Sequence, residues 1–451
     1  FTKKLSHGDI IEIDYEEKNQ KIDKSINVVS KVSGPSKGRE LFSFLSKKEF
    51  SLPIEFPPAV HKELSNIKRN QNDSTREDFT HLPFVTIDPV DAKDHDDAIY
   101  AVFPKNSQKG ETFCEIWIAI ADVASYVIAG STIDREAMRR ANSTYFLDSV
   151  IPMLPEKISN DLCSLQENKV RNSIILKICL NNNGERTSYE FIKGKVIVKH
   201  NFSYEKVETF QKEEVVGKSS FLERKQLIAN LYAASAVLSK SSKKALHLQL
   251  PEPKLSLLAS GKLANLNSTK ILESNKIVEN FMIAANVCVA EALSQSTQPI
   301  IYRVHEKPNL ENMNKLLKKT DMLGLKDQRK RSLGLLELNQ ILKLARQNQV
   351  HDVTSLLVLQ SLTQAYYTTK PLGHFGLNLK KYVHFTSPIR RYADLVTHRL
   401  LYRHLGWENG SRHATDANHL ELTCIHASTM ERNSSLAERR TNQRYIASFM
   451  E

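Results

Sequence analysis

The chain has 451 residues, room for about three domains or for one large domain with an appendage. Hydrophobic residues at 41% and charged residues at 25% suit a folded chain with a sizeable core, and 15 Gly with 15 Pro rule out a collagen-like or low-complexity one. Lys and Arg exceed Asp and Glu by 63 − 51 = 12, a surplus that points to nucleic acid or a membrane surface, with ordinary surface lysine as the plain alternative.

The chain opens on Phe1-Thr2-Lys3-Lys4, with neither an initiator Met nor a signal pattern. It is therefore expected to begin inside a longer protein. A cytoplasmic location is expected, with an organelle left open in case a targeting segment was removed. Residues 1–50 read as a small β-rich module. Asp9 to Asp14 alternates polar and apolar, as does Ile26 to Val32 more weakly. A β-barrel remnant fits that pattern, and a winged helix competes with it. Pro53, Pro57 and Pro58 end regular structure, and Lys68 to Asp78 reads as an exposed connector, so residues 51–80 are expected to be a linker.

From His81 the texture changes. Phe84 to Ile87, Ile116 to Ala121, Ile174 to Leu180 and Lys195 to Val198 read as strands. Trp117 to Gly130 is the most apolar run, but Asp122 and Ser125 break it, well short of the roughly 18–20 residues of a membrane helix. Ser131 to Asn142, Ile277 to Leu293, Ser332 to Gln347 and Tyr392 to His404 have helical spacing, and the second of these is apolar enough to be buried. Strands first and helices later predict one large α+β domain over 81–451, without internal repeats. The cysteines, Cys114, Cys163, Cys179, Cys288 and Cys424, form no CxxC pair. That argues against a disulfide framework or a zinc site, and for a reducing compartment.

Asp88, Asp94, Asp96 and Asp97 lie within ten residues of one another, directly after a predicted strand. Carboxylates crowded beside a core repel one another and lose hydration, and hard divalent cations such as Mg²⁺ offset both costs. A calcium loop starting at Asp94 would need Gly and Glu where Ile99 and Lys105 stand. An Asp-rich capping turn is the plainer alternative. In a basic protein, a metal site suggests phosphoryl chemistry.

A second cluster runs from Tyr382 to Leu395 and mixes aromatics, hydroxyls and the pair Arg390-Arg391. Thr386 or Ser387 is expected to cap the helix after Pro388, where a helix N-terminus beside arginines would suit a phosphate. Asp394 and His398, four residues apart, are expected to pair. Arg329-Lys330-Arg331 reads instead as a solvated helix face.

Together these segments closely resemble the RNB exoribonucleases, the family of ribonuclease II and ribonuclease R. The acidic motif of that family, T-I-D-x5-D-x-D-D-A, is matched from Thr86 to Ala98, and H-F-T-S-P-I-R-R-Y-x-D-L-x-x-H-R from His384 to Arg399. Ile120-Ala121-Asp122-Val123, Ile151 to Pro155, Leu162-Cys163-Ser164-Leu165, Tyr302 to Glu306 and His374 to Leu377 are also similar to the family, in the right order.

The resemblance implies an RNB catalytic domain, a mixed, mainly antiparallel sheet with packed helices. It implies a monomer, with no membrane partner, that hydrolyses single-stranded RNA from the 3′ end to nucleoside 5′-monophosphates. Two Mg²⁺ ions would serve, with Mn²⁺ as substitute. On that pattern Asp88, Asp94, Asp96 and Asp97 hold the ions, and Arg390 contacts phosphate. Tyr145 stacks on the terminal base, with ordinary core as the alternative. Tyr204, Glu279, Ser387, Arg391 and Glu438 approach the RNA, and for Tyr204, Glu279 and Glu438 plain packing or helix salt bridging is equally open. Two features depart from the family. Only a short segment precedes the domain where two cold-shock barrels are usual, and the RNA-binding β-barrel that usually follows it is expected to be absent. Pro251-Glu252-Pro253-Lys254-Leu255 also has no aromatic where some relatives place a second stacking ring. The competing functions are a catalytically inactive RNA-binding relative, and a metal nuclease of other polarity or one acting on DNA.

Overall fold

A computed structural model describes residues 11–15, 26–31, 40–67, 73–104, 112–212, 219–241, 245–246, 248, 252–258, 263–269, 272–325, 334–407 and 417–450. Phe1 to Lys4, Asp9, Ile10, Val32, residues 68–72, Lys105, Pro251, the basic run at 329–331 and Ser332 lie outside them.

Near the start, β1 (Ile11–Tyr15) and β2 (Ile26–Lys31) pair antiparallel. Residues 41–49 then form a helix, α1 (Leu41–Glu49), where further β-segments were expected. Leu41, Phe42 and Leu45 recur at helical spacing, and a long C-terminal helix, described below, covers that face. The ring of Phe42 meets Tyr445 edge to face at 4.9 Å, and Ser46 Oγ accepts from Thr441 Oγ1 at 2.7 Å. The expected linker is also partly regular. α2 (Pro58–Asn66) begins on Pro58, because a proline at the first helical position lacks only an N–H that would be unpaired anyway. Glu63 of α2 accepts from the N–H groups of Thr132 and Ile133, which open α3 (Thr132–Arg140). At the described end of the connector expected over 68–78, Ser74, Thr75, Glu77 and Asp78 are exposed, but the segment is not wholly irregular. Arg76 is 7% exposed, and Glu77–Asp78 forms β3.

The large sheet contains β3, β4 (Phe84–Asp88), β5 (Asp97–Val102), β6 (Cys114–Ala121), β9 (Val170–Leu180) and β10 (Arg186–Ser203), in the order β3-β10-β4-β5-β6-β9. A short hairpin of β7 (Thr144–Tyr145) and β8 (Val150–Ile151) lies apart from it. The long β10 runs antiparallel to β9 over its first part and parallel to β4 from Val198 onward, so the path β10-β4-β5-β6-β9 returns to β10. Apart from the β10–β4 and β10–β3 pairs, every pairing in the sheet is antiparallel. β4 is buried from Phe84 to Ile87, and the one polar side chain there, Thr86, accepts from Asn201 at 2.7 Å.

Helices follow: α4 (Tyr204–Lys212), α5 (Ser219–Ser241) and, after a hairpin of β11 (Glu252–Leu257) and β12 (Leu263–Thr269), α6 (Glu273–Leu293). β13 (Tyr302–Val304) pairs antiparallel with β14 (Tyr366–Thr368) across α7 (Leu310–Met322), α8 (Leu335–Gln347) and α9 (His351–Ser361). α10 (Tyr392–His404) and α11 (Ala417–Met450) close the chain. Ile116, Ile118 and Ile120 of β6 share one continuous core with Phe281 and Cys288 of α6 and Leu395 and Leu401 of α10. Burying each large aliphatic side chain contributes roughly 1.5–3 kcal/mol. α7, α8 and α9 enclose a smaller core of their own around Leu316, Leu338 and Val358. Among the described residues, no helix is long and apolar enough to cross a membrane.

Candidate active site

β4 and β5 lie side by side, so the aspartates that end one and open the other, Asp88 and Asp97, meet at one rim of the sheet. Asp94 and Asp96 ride on the loop between them. Ala121 N–H of β6 donates to the Asp96 carbonyl at 2.8 Å, which fixes that loop to the sheet. The Asp96 side chain is buried. Its Oδ1 accepts from Ile389 N–H at 2.8 Å, while Oδ2 has no hydrogen bond and faces Arg390 Nε at 3.6 Å. Burial pushes the Asp96 carboxyl well above its usual range against the opposing charge of Arg390, and the charges of Asp94 and Asp97 add to the rise. Burial and the charge of Asp88 likewise raise Asp97, opposed by Arg390 and His95.

The opposing wall is the segment 382–391. Buried side chains from two helices hold its backbone. Asn286 of α6 accepts from Phe385 N–H at 2.9 Å, and its amide donates to Tyr382 Oη at 3.0 Å. His398 Nε2 of α10 donates to Phe385 O at 2.8 Å. Asp394 Oδ1 accepts from Ser387 N–H at 2.9 Å and from Arg391 Nη2 at 2.7 Å. Neither Thr386 nor Ser387 therefore caps α10. Arg391 precedes that helix with no side-chain cap, and Asp394 reaches back to the loop instead. The expected Asp394–His398 pair is not hydrogen-bonded, because each side chain is turned to a loop backbone group. Ser387, 4% exposed, accepts from Arg390 Nη2 at 3.1 Å and so steadies the one arginine of the pair that stays 47% exposed.

Tyr145 reaches the cluster from β7. Its hydroxyl donates to Asp94 Oδ2 at 2.7 Å while the residue stays 38% exposed, so it is not a core ring. Its backbone N–H donates to Glu438 Oε1 of α11 at 2.7 Å. Burial raises the Glu438 carboxyl, and the Tyr145 N–H opposes that rise. Tyr204, at the start of α4, feels Asp97 and Asp88, and burial together with those charges raises its phenol. Arg391 is committed to Asp394. Glu279 is exposed on α6 and shares no hydrogen bond with the other site residues.

His95 has a place the motif did not assign. Its Nδ1 donates to Asp88 Oδ2 at 2.6 Å, and that bond and charge outweigh burial to raise the imidazole. The available signal was its position between acid residues, Asp94-His95-Asp96. Arg76 is a second such residue, buried against Asp122 and Tyr402. Its neighbour Asp73, three residues earlier, gave only an ordinary local ion pair, and the partners that bury it, Asp122 and Tyr402, are distant in sequence.

The residues suit divalent ions that keep open positions. Among the described residues no group of three or more Asp, Glu, His or Cys side chains already stands in position to hold an ion. What they form is a set of mutually repelling carboxylates with one buried oxygen, Asp96 Oδ2, left unbonded. Mg²⁺ takes one or two carboxylates and completes its shell with water and phosphate, so an incomplete set beside an arginine fits it.

A closed mixed sheet with four aspartates on two strand ends and the loop between them, walled by an arginine-bearing loop, defines an acid-centred α+β domain. The family model of the RNB domain matches residues 76–406, and the chain belongs to that family. It is 31% identical over 445 residues to ribonuclease R of Buchnera aphidicola subsp. Schizaphis graminum, a match covering 96% of this chain and 60% of the relative. Ribonuclease R of Thermotoga maritima is 33% identical over 388 residues, covering 85% of this chain and 54% of the relative. The chain thus spans little more than half the length of these curated relatives. A solved structure of Mycoplasma genitalium RNase R in complex with double-stranded RNA superposes with a TM-score of 0.89 at 26% identity, over 98% of this chain and 79% of that one.

Proposed function

We propose that this chain is the catalytic part of a 3′→5′ exoribonuclease. It takes single-stranded RNA and releases nucleoside 5′-monophosphates with Mg²⁺, for which Mn²⁺ substitutes. The observation that carries the reading is buried Asp96, with an unbonded Oδ2 set among Asp94, Asp97 and Arg390. Relatives named ribonuclease R support it. The proposed catalytic domain covers 81–451, with the described parts of 40–80 packed onto it. It acts as a monomer in the cytoplasm.

When bound, two divalent ions would activate water and neutralise the scissile phosphate. Asp88, Asp94, Asp96 and Asp97 would hold them. Arg390, braced by Ser387, presents its guanidinium to the phosphate, and a forked cation suits that group. Tyr145 offers an exposed ring to the terminal base. Tyr204, Glu279 and Glu438 offer hydroxyl and carboxylate groups to ribose, whose 2′-OH separates RNA from DNA.

End-labelled RNA and DNA digested with and without EDTA test this. The expected result is 3′ shortening of RNA alone, stopped by EDTA and restored by Mg²⁺. RNA left whole in Mg²⁺ would favour an inactive RNA-binding relative, and equal cutting of DNA would remove the ribose reading. Binding should also weaken steadily with added salt, because phosphate contacts release counterions.

Tyr145→Ala should leave the thermal transition unchanged, since the ring is partly exposed, while losing about 1–3 kcal/mol of base stacking. A longer final fragment on a sequencing gel is the expected outcome. An unchanged fragment would remove Tyr145 from the RNA path.

A further inference from the structure

Ser164 is not an acid, and it lies about seventy residues from the acidic loop in sequence. Its side chain is nevertheless fully buried and bonded on both sides of Asp94. The hydroxyl donates to Lys93 O at 2.7 Å and accepts from His95 N–H at 3.1 Å. Leu165 N–H donates to His95 O at 3.0 Å. These residues of the loop belong to no strand, so the clasp supplies what a sheet would otherwise give them. The clasp is itself anchored. Arg171 Nε donates to Ser164 O at 2.9 Å, and Asn201 donates to both Leu165 O at 3.1 Å and Thr86 Oγ1 at 2.7 Å, tying it to β4. A π-helix, Lys157–Leu162, delivers the segment. That wider winding is rare overall and is frequent at functional sites.

We propose that Ser164 is a positioning residue: by stapling Lys93 to His95 it sets the direction in which Asp94 presents its carboxylate to the divalent ion. The inference rests on the reading of the acidic loop as an ion site. Without the hydroxyl, the Lys93 carbonyl and the His95 N–H lose their partner in a part-buried loop, and the loop must shift to satisfy them. Outer partners of this kind typically change metal affinity about 10–100-fold when removed.

The test is calorimetric titration of Mg²⁺ into the whole chain without RNA, for the parent, Ser164→Ala and Ser164→Cys. The cysteine variant fills the space but bonds weakly, and it serves if the alanine variant does not fold. Binding of a single-stranded oligonucleotide in EDTA is measured alongside. The expected result is a Mg²⁺ dissociation constant raised about 10–100-fold with RNA binding in EDTA unchanged. A parent-like Mg²⁺ constant in a folded variant overturns the inference and leaves the ion site standing. Equal losses of Mg²⁺ and RNA binding also overturn it, since they mark a general structural role. A parent that takes up no Mg²⁺ sinks the ion-site reading and the inference with it.

Discussion

Asp96→Asn is expected to slow RNA hydrolysis by orders of magnitude while making the metal-free protein more stable. Both effects have one cause. Asp96 is held in a buried site where its Oδ1 bonds Ile389 N–H and its Oδ2 bonds nothing. An asparagine keeps the shape, and its oxygen can still accept from Ile389. It removes the charge on which ion binding depends, so a loss of about 10²–10⁴-fold in rate is expected, the range for a group acting directly on the reacting centre. The stability effect has a definite sign. Burial holds the folded carboxyl well above the ordinary carboxylate range, so between the ordinary value and the raised one the native state binds more protons than the unfolded state. The parent therefore loses stability as pH rises through this window, and the variant does not lose that part. In EDTA, the advantage of Asp96→Asn in melting temperature should be small near pH 4 and grow toward neutrality. A variant that hydrolyses RNA at the parental rate, or that melts below the parent at neutral pH, would contradict the assignment.

Arg76→Met is expected to cost about 3–5 kcal/mol, the range for removing one partner of a buried ion pair. Arg76 donates to Asp122 Oδ2 in a short contact and to Asp73 Oδ2 at 3.1 Å, and Tyr402 Oη donates to the same Asp122 oxygen at 2.5 Å. Asp122 has no exposure to water. Burial by itself favours loss of the Arg76 proton, but Asp122 and Tyr402 together outweigh it and raise the guanidinium. With methionine at 76, Asp122 stays buried with only Tyr402 and the Ser125 N–H as donors. Denaturant unfolding checks the loss. The double variant Arg76→Met/Asp122→Asn should recover most of it, because no charge is left uncompensated. A single variant with the parental midpoint would show that the pair contributes little. The consequence reaches the site, because Asp122 directly follows β6, and β6 holds the Asp96 carbonyl through Ala121 N–H.

The two motifs were legible because their chemistry is local. Four carboxylates within ten residues, and a proline-stopped loop with paired arginines, are unusual wherever they fall. The helices at 273–293 and 335–347 were legible because apolar residues such as Ile277, Phe281 and Ala285, or Leu338, Ile341 and Leu342, repeat with the helical period. The helix at 392–404 is buried on nearly every side and was legible from its apolar residues after the proline stop. α1 was missed because its apolar spacing fell inside a stretch read for alternation. α2 was missed because Pro58 was read as a stop and not as a start.

By itself, then, the order of residues determined which chemical groups the protein owns and which short segments coil or extend, since both depend on neighbours a few positions apart. Tertiary structure alone decided which of those groups meet. Ile389 and Asp96 lie 293 positions apart, Arg399 and Asp134 lie 265 apart, and Glu438 and Tyr145 lie 293 apart. No periodicity encodes such pairs. They arise because burying one continuous core packs α10 and α11 onto the rest of the domain, and the polar groups caught in that closure must bond one another or remain unsatisfied.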